Sequence, residues 1–267
     1  MKIASLNSIR VHYADEGDPT GLPLVFANSL GTDFRIWDPL LPHLPGGLRH
    51  IRYDMRGHGL SDAPAGDYFM GDLVADAAAL IDHLGVTGAV FVGLSIGGMV
   101  AQGLAAERPD LLRAVVLSNT AAKIGVEAMW ADRIAAVRAG GIAALEAAIL
   151  ERWFSRRFRT GRADELAGWR HMLTRTPLDG YVGCCAAIAA TDLRLSTAAL
   201  RLPVLVIAGA EDGATPPDLV RETAESIPGA RFDMIRGAGH IPCVEAPDAM
   251  ARLIGDFLFD TGLLPAT

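Results

Sequence analysis

Short runs of apolar residues alternate along the chain with longer stretches whose apolar residues recur every three or four positions. LVFA, AVFV, AVVL and VLVIA are apolar throughout. That pattern predicts strands covered on both faces, as in a parallel sheet between two helical layers. Strands are predicted at Ile3–Leu6, Ile9–Ala14, Leu24–Ala27, His50–Tyr53, Ala89–Val92, Ala114–Ser118, Val204–Ala208 and Arg231–Ile235. The first two alternate in polarity and are joined by Asn7-Ser8, so they read as an antiparallel edge hairpin. Helices are predicted at Gly71–Leu84, Ile96–Glu107, Pro217–Ser226 and Ala246–Phe257, the second stopping before Pro109. Strands and helices in this alternation imply a three-layer α/β sheet with right-handed crossovers.

One segment breaks the rhythm. From residue 120 to 199 no strand pattern appears, and the alanine-rich sequence reads as helices, among them Glu127–Ala139 and Ile142–Phe154. Helical sequence inserted between two strands predicts a cap. We therefore expect a core of residues 1–119 and 200–267 under a helical cap of residues 120–199.

The chain has 267 residues, 51% hydrophobic and 21% charged, enough apolar surface for one large unit. A formal net charge of −7 argues against a nucleic-acid partner, since phosphate binding needs a surplus of Lys and Arg. No basic amphipathic helix, apolar run of membrane-spanning length or signal-peptide core is present, so no membrane partner is expected. The three cysteines, Cys184, Cys185 and Cys243, fit a reducing cytoplasm better than a disulfide framework. HExxH and CxxC spacings are missing, so the chemistry should need neither metal nor cofactor.

The stretch VFVGLSIGG, Val90 to Gly98, carries the first chemical signal. A serine between glycines at a strand-to-helix turn could simply cap the helix. It could equally be a nucleophile held on a strained turn at the carboxyl edge of the sheet. A hydroxyl is a weak nucleophile and needs a base. VLVIAGAEDGATPP places Asp212 just beyond one strand, and RGAGHIPCVEAP places His240 just beyond the last. Serine, acid and histidine in that order, each following a strand, make Ser95, Asp212 and His240 a candidate triad. An oxyanion hole would take one donor from Ile96 N–H and another from the loop after the third strand.

With these motifs, the chain resembles the α/β-hydrolase family over its full length. The resemblance implies an eight-stranded, mostly parallel sheet with helices on both faces and a cap after the sixth strand. Where that family usually carries His-Gly, VFANSLGTD has Asn28-Ser29, so the resemblance gives the second oxyanion donor to Leu30. YDMRGHGLSD, Tyr53 to Asp62, is similar to the family's loop after the fourth strand. Asp54, Arg56, His58 and Ser61 there read as a structural, hydrogen-bonded loop, and Glu211 as a solvated neighbour of Asp212. A serine nucleophile favours acyl transfer over the aspartate-based chemistry of dehalogenases and epoxide hydrolases.

NSLGTDFRIWDP, LSNTAAKIG, MWADRIAAVRAGG, LERWF and GYVGCCAAI look like the 3-oxoadipate enol-lactonases. That resemblance implies a small lactone substrate bearing a carboxylate, whose pocket should hold a cation. Trp130, Ile134 and Val137 share one face of the first cap helix, with Arg133 at its margin. Arg133, Trp130 and Trp153 are thus candidate substrate contacts, although Trp153 also lies on a core-like stripe with Ile142, Leu145 and Ile149. A small esterase, a C–C bond hydrolase, a perhydrolase-like enzyme and a non-catalytic binder remain alternatives.

Overall fold

The computed structural model describes residues 1–265. Among them, eight strands form one sheet: β1 (Lys2–Leu6), β2 (Ile9–Gly17), β3 (Leu22–Ala27), β4 (Leu48–Tyr53), β5 (Ala89–Leu94), β6 (Leu112–Ser118), β7 (Val204–Gly209) and β8 (Arg231–Ile235). The order is β1-β2-β4-β3-β5-β6-β7-β8, and β2 alone runs antiparallel to its neighbours. The apolar runs lie where continuous burial demands them: every residue of β5 and β7 is buried. At the edge, Asn7 and Ser8 both take positive φ (45° and 66°), as a two-residue turn must when Leu6 pairs directly with Ile9.

The core helices are α1 (Met70–His83) and α2 (Ile96–Glu107). Between β6 and β7 lie α3 (Glu127–Gly140), α4 (Glu146–Trp153), α5 (Arg156–Gly161), α6 (Ala163–Thr174), α7 (Leu178–Ala189) and α8 (Arg194–Ala198). The chain closes with α9 (Pro217–Ser226), α10 (Pro242–Glu245) and α11 (Pro247–Asp260). The helix expected over Ile142–Phe154 is shorter. Gly141, at φ 72°, ends the preceding helix; Ile142–Leu145 then forms a 3₁₀ turn, and α-helical bonding begins only at Glu146. Gly141 sets the chain direction, and apolar periodicity does not register the tighter turn.

Beyond β3 the chain passes to β4 on one side, then returns to β5 on the other. The carboxyl ends of β3 and β5 therefore flank the point where the winding reverses, the position at which open α/β sheets place their sites. The turn from β5 into α2 is packed backbone on backbone. A Cβ on Gly93 would stand 2.2 Å from Gly97 O, and one on Gly97 would stand 2.3 Å from Ala27 O. Neither obstacle is a flexible side-chain tip, so the strand, helix and β3 would have to separate. We expect Gly97→Ala to cost about 2–3 kcal/mol, read as a lowered urea midpoint at unchanged m-value.

Candidate active site

Each strand of the carboxyl edge delivers one part of the site. Ser95 follows β5 and is held at φ 57°, ψ −118°, a conformation that costs a non-glycine residue about 1–3 kcal/mol. Its hydroxyl makes no capping bond to α2, which removes the helix-capping explanation for a serine here. Ser95 N–H donates to Ser118 O at 3.0 Å, tying the turn to the end of β6. Ser95 is 8% exposed.

Asp212 follows β7 and is a fully engaged carboxylate. Oδ1 accepts from the N–H groups of Ala214 (2.7 Å) and Thr215 (3.0 Å). Oδ2 accepts from the Thr215 hydroxyl (2.7 Å) and Asn119 Nδ2 (2.8 Å), and lies 2.8 Å from His240 Nδ1. Burial alone would raise this carboxyl. The His240 charge and the bonds from His240, Asn119 and Thr215 more than offset it and hold the group below the usual range. His240, following β8, is buried; its Nε2 stands 3.4 Å from Ser29 Oγ on the loop after β3. Among the described residues no hydrogen bond joins Ser95 Oγ to the imidazole, a contact that often tightens only when substrate binds. Backbone contact aligns the two loops, since a Cβ on Gly209 would meet Gly239 O at 1.9 Å.

Leu30 and Ile96 are both buried, and among the described residues neither backbone N–H has an acceptor. Two unpaired buried donors beside a serine are costly to leave unmet and suit a developing oxyanion. Nearby, His58 accepts Gly31 N–H at Nε2 (2.8 Å), and its Nδ1 faces Arg56 O at 3.2 Å. Complete burial pushes its pKa down to about 4, so the imidazole is neutral and its Nε2 is available to hold the loop. The rest of this loop is equally occupied. Asp54 accepts from Phe34 N–H and Leu60 N–H, Ser61 donates to Asp54 O, and Arg56 pairs in a fork with Asp76. Glu211 is exposed and accepts from Arg156 N–H.

Asn119 was not among the residues singled out from the sequence. It sits at φ 49°, a left-handed conformation that asparagine tolerates, and it bridges Asp212 and Gly239 O (3.2 Å). The signal available was its place directly after a buried strand. Thr215, with hydroxyl and N–H both on Asp212, escaped notice in the same way.

The cap covers this edge. Leu173, Tyr181 and Trp153 come within 2.7, 3.2 and 3.5 Å of a Cβ built on Gly31, so they roof the loop after β3. Trp130 is buried and donates Nε1–H to Ile124 O (2.7 Å). Arg133 lies over the Trp130 ring at 5.4 Å and donates to Tyr181 Oη through Nε (3.0 Å) and Nη2 (2.5 Å). A cavity of about 840 Å³ opens between Phe34 and α6, and none of Ser95, Asp212 or His240 lines it. Among the described residues no group of three or more His, Cys, Asp or Glu could hold a metal ion, and no helix is long and apolar enough to cross a membrane.

Residues 23–247 match the family described as the alpha/beta hydrolase fold. The chain belongs to the α/β-hydrolase fold family. It is 35% identical to the 3-oxoadipate enol-lactonase 2 of Acinetobacter baylyi, over 92% of each chain. The crystal structure of the enol-lactonase from Burkholderia xenovorans superposes with a TM-score of 0.93 at 39% identity, covering 96% of this chain and 99% of that one. A non-heme chloroperoxidase of Streptomyces lividans is also similar, 28% identical over 93% of this chain and 98% of its own. The eight-stranded, mostly parallel sheet expected from the sequence is the one observed.

Two measurements test this geometry. Because His58 has a folded pKa of about 4 against about 6.5 unfolded, the stability it contributes is complete above pH 6.5 and is lost as the pH falls towards 4. Denaturant unfolding should lose on the order of 3 kcal/mol from this group across that interval, and His58→Gln should flatten that part of the profile. Asn119→Ala removes one bond from a buried carboxylate; kcat on any accepted ester should fall about ten- to a hundredfold, with the fold retained by circular dichroism.

Proposed function

We propose that this α/β-hydrolase is a serine hydrolase that opens the enol-lactone ring of 3-oxoadipate enol-lactone to give 3-oxoadipate. The observation that carries the chemistry is the convergence, at one sheet edge, of a strained serine, a buried Asp212–His240 pair and two unpaired backbone donors. In this reading His240 Nε2 takes the Ser95 proton as Oγ attacks the lactone carbonyl. Asp212 keeps the imidazole oriented and stabilises its charged form. The tetrahedral oxyanion lies between Leu30 N–H and Ile96 N–H, each such donor supplying about 2.7–4 kcal/mol of barrier stabilisation. Ring opening releases the enolate oxygen, which takes a proton from His240 and tautomerises to the ketone. Water, deprotonated by His240, then hydrolyses the acyl-enzyme and leaves the new carboxylate.

The substrate class is supported by the two enol-lactonase relatives, each aligned through the cap as well as the core, and by the cap's cation. Arg133 sits over Trp130 and on Tyr181 Oη, and among the described residues it has no carboxylate partner. A guanidinium held in this way suits the substrate's free carboxylate, with Trp153 closing the pocket over the oxyanion loop.

The deciding experiment follows the loss of enol-lactone ultraviolet absorbance with wild type and Ser95→Ala side by side. Turnover by wild type and a fall in kcat of at least about a thousandfold in the variant are expected. Rapid aryl-ester cleavage without lactone opening would retain the serine mechanism and reject the substrate. Full activity in Ser95→Ala would reject the mechanism itself.

A further inference from the structure

The His240 imidazole is held at both nitrogens, and one of the holding groups lies outside the triad. At Nδ1 stand Asp212 Oδ2 (2.8 Å) and the Thr215 hydroxyl (3.3 Å). At Nε2, the atom that must take the Ser95 proton, stands Ser29 Oγ at 3.4 Å. Ser95 Oγ makes no bond to that atom among the described residues, so Ser29 is its hydroxyl partner. Ser29 and His240 are each 1% exposed, and they lie 211 residues apart on the loops after β3 and β8. Strands β5, β6 and β7 lie between those two, so the contact joins loops on either side of the Ser95 turn.

The loop after β3 does not need this hydroxyl for its own shape. Its turn is closed by the backbone: Ser29 O accepts Thr32 N–H at 3.1 Å and the Thr32 hydroxyl at 2.8 Å. Among the described residues Ser29 Oγ has no hydrogen-bond partner besides Nε2. A buried hydroxyl is costly unless it is bonded, so the imidazole contact is what offsets its burial.

The charge on Asp212 decides which way that bond runs. The carboxylate takes Nδ1–H, which leaves a lone pair on Nε2, and the Ser29 hydroxyl donates to it. Once Nε2 has taken the Ser95 proton the polarity reverses: Nε2–H donates, and the same hydroxyl oxygen accepts. Hydrogen bonds from a charged donor are about twice as strong as neutral ones. The contact therefore strengthens as the imidazole becomes charged, and only a contact that strengthens towards the transition state lowers the barrier.

We infer that Ser29 is a positioning residue that acts through His240, holding Nε2 in the free protein and accepting Nε2–H from the imidazolium after proton transfer. The proton of Ser29 stays on Oγ throughout; the hydroxyl only turns. The inference rests on the serine mechanism proposed above and not on the identity of the lactone.

The test is nitrogen-15 NMR of the His240 side chain in alkaline buffer, paired with the rate at which a neutral fluorophosphonate labels Ser95. Wild type, Ser29→Ala, Ser29→Thr and Ser95→Ala are compared. Ser29→Ala should move the Nε2 resonance downfield, towards a free lone pair. Ser29→Thr should restore most of the shift, and Ser95→Ala should leave the resonance in place. Labelling should slow about tenfold in Ser29→Ala and recover in part in Ser29→Thr. Retention of the low-field Nδ1–H proton signal, bonded to Asp212, shows that each variant keeps its site assembled. An Nε2 resonance that ignores Ser29→Ala overturns the inference, and so does unchanged labelling in a variant whose resonance has moved. The two readings fail separately. A wild type whose Nε2 answers to Ser29 but which resists labelling loses the serine mechanism, and with it the imidazolium role; one that labels fast while Ser29→Ala changes nothing loses Ser29 alone.

Discussion

The structure depends on one constraint: Ser95 is held at φ 57°, ψ −118°, a costly backbone conformation for an L side chain that its surroundings must enforce. Those surroundings are backbone. Gly93 lies against the backbone of Gly97, and Gly97 against the backbone at the end of β3, each too close for a Cβ. Strand, helix and the neighbouring strand therefore lock the turn from three directions. The energy that offsets the strain comes from β5, every residue of which is buried, and from the apolar face of α2 beneath it. A serine set this way exposes its hydroxyl above the sheet edge and leaves the N–H of Ile96 pointing outward without a partner.

Polar groups at the same edge obey a second rule, that a buried charge must be met on every side. Asp212 shows how completely this is done: two backbone N–H groups, a threonine hydroxyl, an asparagine amide and an imidazole surround one carboxylate. Glu245 repeats the device one layer out. It accepts Gly239 N–H at 2.8 Å and the Ser155 hydroxyl at 2.6 Å, and so ties the histidine loop to the cap. The histidine is positioned from behind by charge and from above by the cap backbone. The unmet donors, Leu30 N–H and Ile96 N–H, stand out against this background because nearly everything around them is paired.

Much of this was legible in the sequence because it follows from burial. Strands apolar on both faces announce themselves, and the three candidate residues fall immediately after such strands. The unseen parts are those set by tertiary contact. Asn119 and Thr215 follow no motif, and their roles exist only once β6, β7 and β8 lie side by side. His58 could be assigned to a structural loop, yet its acceptor role towards Gly31 joins segments 27 residues apart. The 3₁₀ turn at Ile142–Leu145 keeps its apolar residues at spacings that also suit an α-helix, so periodicity could not separate the two.

Core and cap are consequently not independent parts. The C-terminal turn of α4 gives its last carbonyls to the two loops that matter: Arg152 O to Gly213 N–H and Trp153 O to His240 N–H. Gly57 and Gly180 touch at backbone distance, joining α7 to the loop that holds Gly31 through His58. A change in the cap that alters which ligand fits will therefore also move the imidazole or the Leu30 and Ile96 N–H groups. Catalysis requires those groups to be placed within fractions of an ångström. Within a family sharing this sheet, substrate preference can then shift only through cap sequences that preserve these carbonyl and glycine contacts. That constraint explains in physical terms why similarity through the cap segment, and not fold alone, carries information about the substrate.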